Sequence, residues 1–356
     1  MESFLRNLTP TEQVAALFLV VFGLLALASA AAFLLSLREQ RNPVHGEAWQ
    51  EELAHLRALL RTTWGMVIVF WVCWALGGTV ATVLFGLISF LALREFITLS
   101  PTRRGDHRSL ILAFFVVLPL QFVLVGTARF DLFTVFIPVY VFLAIPVTAA
   151  LADDPHQFLE RNAKLQWGIM VCVYGLSHVP ALLLLDFPGY EGKNAFLLFF
   201  LVATVQTCML VQHLINRRLG LAPEDGAAAD AAAPAPRGGL LRQMLRPRAP
   251  IAPHISRSFN WASWGVGMAV ASFVGALLSF VTPFRFWQAF LAALVACVAG
   301  SMGHLVMKAL KRDRGIPNWG RRGVGVTGAN GLLDRVDALC FAAPIFFHSV
   351  RWYFHL

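Results

Sequence analysis

The chain has 356 residues, 58% of them hydrophobic and 14% charged, and a formal net charge of +9 at pH 7. Several apolar runs reach or approach the length needed to cross a bilayer, so the composition excludes a soluble protein. The reading is all-α: a polytopic integral membrane helical bundle.

In chain order, apolar runs fall at 14–37, 64–77, 79–93, 109–126, 132–151, 165–185, 195–215, 262–281, 287–307 and 338–354. The second and third are short enough to form one broken or re-entrant element, so nine or ten spans are expected. Ala28-Ser29-Ala30 resembles a signal-peptidase site, but the run continues past it and the leader carries Arg6 against Glu2 and Glu12. Between the first two runs, Trp49, Leu53, Leu56 and Leu60 recur at helical spacing against Glu51, Glu52, Arg57 and Arg61. That pattern predicts an amphipathic helix over 47–63, lying on the membrane surface.

Lys and Arg are distributed unevenly. Alternate loops carry 24 of the 29, leaving Arg6, Arg129, Lys193, Arg285 and Arg351 on the other side. The expectation is a cell inner (cytoplasmic) membrane protein with those loops inside and both termini outside. The net charge is thereby accounted for, and nucleic acid is not expected as a partner. Cys73, Cys172, Cys208, Cys297 and Cys340 lie in apolar runs at no metal-like spacing and read as small core residues.

The segment 221–250 is rich in Ala and Pro and reads as a flexible cytoplasmic linker. The domain reading is an extra N-terminal helix and connection (1–46), the interfacial helix (47–63), a membrane bundle (64–220), the linker, and a C-terminal membrane region (251–356). Gly265, Gly267, Ala271 and Gly275 form a small-residue face suited either to a homodimer or to packing within the chain.

Polar groups cluster around the last three runs. His304, Lys308 and Lys311 share one helix face that suits phosphate, although such lysines also serve as snorkelling interface anchors. Gln206, His213 and Arg217 share a second face, for which interhelical hydrogen bonding is the competing account. Ser256, Arg257 and Ser258 precede a helix start, a place where anions bind. Lys311 to Asp337 is basic and glycine-rich. In it Gly328 and Gly331 allow close backbone approach, while Asp334 and Asp337 flank Arg335. The competing account has Asp334 capping the last helix and Asp337 pairing with Arg335.

These residues resemble the phosphatidate cytidylyltransferases, also called CDP-diacylglycerol synthases. The family's C-terminal signature runs Gly-Asp, Ser, Lys-Arg-x-x-Gly-x-Lys-Asp and then Pro-Gly-His-Gly-Gly-x-x-Asp-Arg-x-Asp. The matching residues are Gly303-His304, Lys308, Lys311-Arg312-Asp313-Arg314-Gly315-Ile316-Pro317-Asn318 and Thr327 through Asp337. Ser256 to Asn260 resembles the family's Ser-Pro-Gly-Lys-Thr loop, and Met209 with Asn216-Arg217 resembles its earlier Asp with Gly-Lys. Acidic or polar family residues are replaced by His304, Asn318, Met209, Phe259, Asn260, Lys308 and Ala329.

The resemblance implies attack of the phosphate of phosphatidate on the α-phosphorus of CTP, giving CDP-diacylglycerol and pyrophosphate. It implies Asp334, Asp337, Lys311 and Arg312 as catalytic, with Lys308, Arg335, Arg217, Ser256, Arg257, Ser258, Gly328 and Gly331 holding substrate phosphate. A divalent metal, Mg²⁺ or Mn²⁺, is expected if the chain is active, with His304 and Asp334 as ligands. The alternative is a catalytically lapsed paralogue that binds anionic lipid or partners an active enzyme, with no cofactor.

Overall fold

The computed structural model describes residues 9–41, 47–99, 102–185, 187, 190, 192–218, 250–316, 319 and 331–355. The chain divides into two compact units, Met1–Ala81 with Pro188–Ala195, and Thr82–Phe187 with Phe196–Leu356. All ten apolar runs are helical, and eight helices are long and apolar enough to cross a membrane, so the protein is an all-α multi-pass membrane protein.

In the first unit, α1 (Pro10–Arg41) packs on α2 (Glu47–Ala75). The Trp64 indole N–H donates to the Ser29 hydroxyl at 3.0 Å, and the Phe22 and Trp64 rings stack at 5.6 Å. The surface helix expected at 47–63 is not a separate element, because α2 runs unbroken from Glu47 to Ala75. The helix passes through Thr62, Thr63 and Gly65 without a break, and the break comes at Gly77, whose φ of 86° turns the chain into α3 (Gly78–Thr98).

The second unit holds most of α3 and then α4 (Arg104–Gly126), α5 (Phe130–Ala150), α6 (Phe158–Leu183) and α7 (Asn194–Arg218). After a short hairpin come α8 (Trp261–Val281), α9 (Phe286–Asp313) and α10 (Leu333–Phe354). Three helices contain a π-helical turn, at Ala113–Val117, Phe136–Val141 and Ile169–Gly175. Prolines explain their position: Pro119 follows the first, Pro138 lies in the second and Pro180 follows the third. A proline removes a backbone donor and crowds the preceding carbonyl, and a wider turn relieves both.

α6 is the most enclosed helix, with 78% of its most apolar window buried. It meets α10 at Gly175, where an added Cβ would stand 2.4 Å from the Cys340 carbonyl oxygen. α9 meets α10 at Gly303, where a Cβ would strike the Phe341 ring. These contacts fix α10 against its neighbours, and α10 carries both signature aspartates. Small residues on α8 are likewise used within the chain. A Cβ on Gly267 would meet Gln212 and Cys208 of α7, and one on Gly275 would meet Ala293 of α9.

The five cysteines are buried and unpaired. A polar cluster inside the bundle was not anticipated from the sequence. His178 Nδ1–H donates to the Tyr174 carbonyl at 2.7 Å, the Tyr174 hydroxyl meets His348 Nε2 at 3.1 Å, and the Gln121 amide donates to the Ser177 hydroxyl at 3.2 Å.

Candidate functional site

The site is built at the C-terminal end of α9. A stretch of small residues there (Ala296, Cys297, Ala299, Gly300, Ser301, Gly303) is buried, so α9 lies close against its neighbours up to its last turns. The helix then stops on Gly315, which adopts φ 62°. Its N–H donates to the Arg312 carbonyl at 3.0 Å and the Ile316 N–H to the Lys311 carbonyl at 3.0 Å, the paired closing bonds of a glycine-terminated helix. This turn sends the chain back across the helix end, where Trp319 is buried and its ring meets Phe96 at 5.7 Å.

An ion pair and a hydrogen bond join α9 to α10. Lys311 Nζ lies 2.7 Å from Asp334 Oδ1, and His304 Nδ1 lies 2.6 Å from Asp337 Oδ2. The remaining carboxylate oxygens are also engaged: the Trp319 backbone N–H donates to Asp334 Oδ2 at 2.9 Å and the Ala338 N–H to Asp337 Oδ1 at 2.6 Å. Burial pushes the Asp334 carboxyl above its ordinary value, against the opposing pull of the Lys311 ammonium and the Trp319 N–H.

Sequence reasoning missed Glu95. From the end of α3, its carboxylate accepts the Gly331 N–H at 2.6 Å and the Leu333 N–H at 2.9 Å. Glu95 thus caps α10 from another helix, satisfying backbone donors that the helix start leaves open and placing negative charge at the positive end of its dipole. The reading that Asp334 caps this helix is corrected: its carboxylate turns to α9 instead. Likewise Asp337 pairs with His304, while Arg335 is exposed. The available signal was a carboxylate within the apolar run Leu91-Ala92-Leu93-Arg94-Glu95-Phe96-Ile97, where a charge needs a partner.

The polar stretch before α8 is a β-hairpin, β1 (Pro250–Ala252) with β2 (Ser256–Asn260). The Asn260 side chain accepts the Ser263 N–H at 2.9 Å, so the expected helix start is capped from within, and Ser256 is buried. The hairpin is tied in on two sides. Arg312 donates to the His254 backbone carbonyl at 3.0 Å, and the Asn260 side-chain amide to the Asn216 side-chain Oδ1 at 3.0 Å. The three signature segments therefore converge, from the end of α7, the hairpin and the α9–α10 junction.

The two residues expected as metal ligands, His304 and Asp334, are each engaged by another side chain. His304 is bound to Asp337 and Asp334 to Lys311, and among the described residues no three His, Cys, Asp or Glu come together closely enough to hold a metal ion. Each oxygen of the two aspartates accepts one hydrogen bond, which leaves a further lone pair on each. Gln206 and His213 are both exposed. Gly328 and the side chains of Arg217, Arg257 and Ser258 lie outside the described residues.

An all-α multi-pass protein with an acidic pair held by bases at one end of its last two helices is the class that fold and site define. The chain belongs to the cytidylyltransferase family, whose model matches residues 57–221 and 247–353. It is 32% identical over 297 residues to the uncharacterized protein YnbB of Escherichia coli (strain K12), covering 82% of this chain and 86% of that one. It is also 32% identical over 90 residues to the phosphatidate cytidylyltransferase of Synechocystis sp. (strain ATCC 27184 / PCC 6803 / Kazusa), covering 24% of this chain and 29% of that one.

Proposed function

We propose that this chain transfers the cytidylyl group of CTP to phosphatidate, forming CDP-diacylglycerol and pyrophosphate in phospholipid biosynthesis. A phosphate oxygen of the lipid attacks the α-phosphorus of CTP, and the bond to the bridging oxygen of the β-phosphate breaks. Both reactants are anionic, so the reaction needs fixed positive charge where they meet. The observation that carries this reading is the α9–α10 junction, where Lys311 and Arg312 end α9 beside Asp334 and Asp337.

In this reading Lys311, Arg312, Lys308 and Arg335 hold phosphate oxygens, and Asp334 keeps Lys311 aimed. Mg²⁺ or Mn²⁺ belongs to the reaction as the ion that accompanies CTP. In this reading the junction faces the cytoplasmic side of the cell inner membrane, where CTP is available, with both termini outside, which the excess of Lys and Arg in those loops supports.

A second reading, a lapsed paralogue that retains phosphatidate or partners an active enzyme, is favoured by one observation: every oxygen of Asp334 and Asp337 already accepts a hydrogen bond. Purified protein given phosphatidate, labelled CTP and Mg²⁺ or Mn²⁺ separates the two. Product that disappears in Asp334→Asn supports transfer; retained phosphatidate without product supports the lapsed reading.

A further inference from the structure

The contact between His304 and Asp337 has a geometry that cytidylyl transfer to phosphatidate does not call for. Asp337 is buried and both its oxygens accept, Oδ2 from His304 Nδ1 at 2.6 Å and Oδ1 from the Ala338 N–H at 2.6 Å. A carboxylate can only accept, so the imidazole proton sits on Nδ1 and Nε2 keeps its lone pair. Nε2 has no hydrogen-bond partner among the described residues, and the His304 side chain is 23% exposed. A carboxylate that fixes the tautomer of an imidazole whose other nitrogen is open makes that nitrogen a general base. Lys308 and Lys311 follow on the same face of α9, one and two turns nearer its end.

The acceptor decides whether a base is needed. The phosphate of phosphatidate is already an anion and attacks without losing a proton. Water attacks well only when its proton is taken as it does so, a service that contributes roughly 10²–10⁴ in rate. We propose that the chain has a second activity at this site, the hydrolysis of CDP-diacylglycerol to CMP and phosphatidate, with His304 as the base that activates water. Nε2 takes a proton as the water oxygen bonds to the phosphorus on the cytidine side. The bond from that phosphorus to the bridging oxygen breaks, and Nε2 returns the proton to the departing phosphate of phosphatidate. Asp337 holds Nδ1–H throughout and balances the transient charge on the ring. For its substrate this activity rests on the cytidylyl-transfer reading, whose product is CDP-diacylglycerol.

The test incubates the full-length protein in detergent micelles with CDP-dioleoylglycerol and Mg²⁺ in ¹⁸O-labelled water and follows CMP by mass spectrometry. CTP and pyrophosphate are left out, so that reversal of the transfer cannot consume the lipid. The wild type is expected to release CMP carrying one ¹⁸O, with unlabelled phosphatidate. His304→Gln keeps a hydrogen bond to Asp337 and is expected to lose hydrolysis at least about a hundredfold, while cytidylyl transfer falls only about tenfold. Asp337→Asn offers an amide N–H to Nδ1, reverses the tautomer and is expected to lose hydrolysis comparably. No CMP from the wild type, label in phosphatidate instead of CMP, or hydrolysis that falls no further than transfer in His304→Gln would overturn the proposal. CMP release by a protein that makes no CDP-lipid from CTP sinks the transfer and leaves the hydrolysis. CDP-lipid made from CTP and then left intact sinks the hydrolysis and leaves the transfer.

Discussion

Replacing Glu95 tests how the site is held in shape. Its two oxygens accept the Gly331 and Leu333 N–H groups at 2.6 and 2.9 Å, bridging 236 and 238 positions of sequence. Hydrogen bonds to a charged group contribute roughly 1.5–3 kcal/mol each, so Glu95→Ala removes about 3–6 kcal/mol from the start of α10. Water reaching the freed N–H groups recovers part of that, which puts the expected local loss near 2–4 kcal/mol. Glu95→Gln keeps one acceptor and turns an amide NH₂ toward the other donor, for an expected loss of about 1–3 kcal/mol. Hydrogen exchange followed by mass spectrometry on peptides covering 331–340 reads this directly. Exchange should quicken roughly thirtyfold to a thousandfold in Glu95→Ala and fivefold to a hundredfold in Glu95→Gln, with α8 unchanged. Unchanged exchange at 331–340 in Glu95→Ala would refute the cap and, with it, the argument that α3 positions the aspartates.

Three further outcomes follow from the geometry. Gly175→Ala should lower thermal stability by about 1–3 kcal/mol, because its Cβ would stand 2.4 Å from a backbone oxygen that cannot rotate away; an unchanged melting temperature in detergent would contradict that contact. Asp154→Asn should destabilise the 151–165 region, since Asp154 accepts from the buried Arg161 through both its side chain and, at 2.7 Å, its carbonyl. The Arg161 hydrogen bond holds the Asp154 carboxyl below its ordinary value, so its stabilising contribution is present at neutral pH and lost as pH falls through that depressed value. Thermal melts of wild type and variant should therefore converge in acid, and a constant gap would refute the assignment. His304→Gln should retain a hydrogen bond to Asp337 and lose the imidazole, leaving the fold intact while cytidylyl transfer drops about tenfold; full activity would remove His304 from the site.

The spans were legible because membrane crossing demands long apolar helices, and that demand is written locally. The basic half of the signature was legible for a similar reason, since Lys308 and Lys311 share a helix face by simple periodicity. What escaped were relations between distant positions. The Glu95 carboxylate stands next to Arg94 at the end of an apolar run and reads as an interface charge until the chain folds and brings Gly331 to it. His178 and His348 each sit beside a serine within an otherwise apolar run, and nothing local marks a partner for either. Tyr174 meets both, its carbonyl a helical turn from His178 and its hydroxyl 174 positions from His348. The hairpin at Pro250–Asn260 follows the Ala/Pro-rich segment, and its strands are too short to show an alternating pattern. Asp334 and Asp337 both lie at the α9–α10 junction, with partners that local spacing did not offer. Local spacing offered Arg335 between them, whereas the packing of α9 on α10 delivered Lys311 and His304 instead.

The most direct measurement of the central claim is the formation of radiolabelled CDP-diacylglycerol from CTP and phosphatidate by the purified, lipid-reconstituted chain, with Asp334→Asn prepared alongside. The account expects product from the wild type and a loss of at least about a hundredfold in the variant, with both proteins equally well folded by thermal melt. A folded wild type that retains phosphatidate and forms no product with either Mg²⁺ or Mn²⁺ would contradict it.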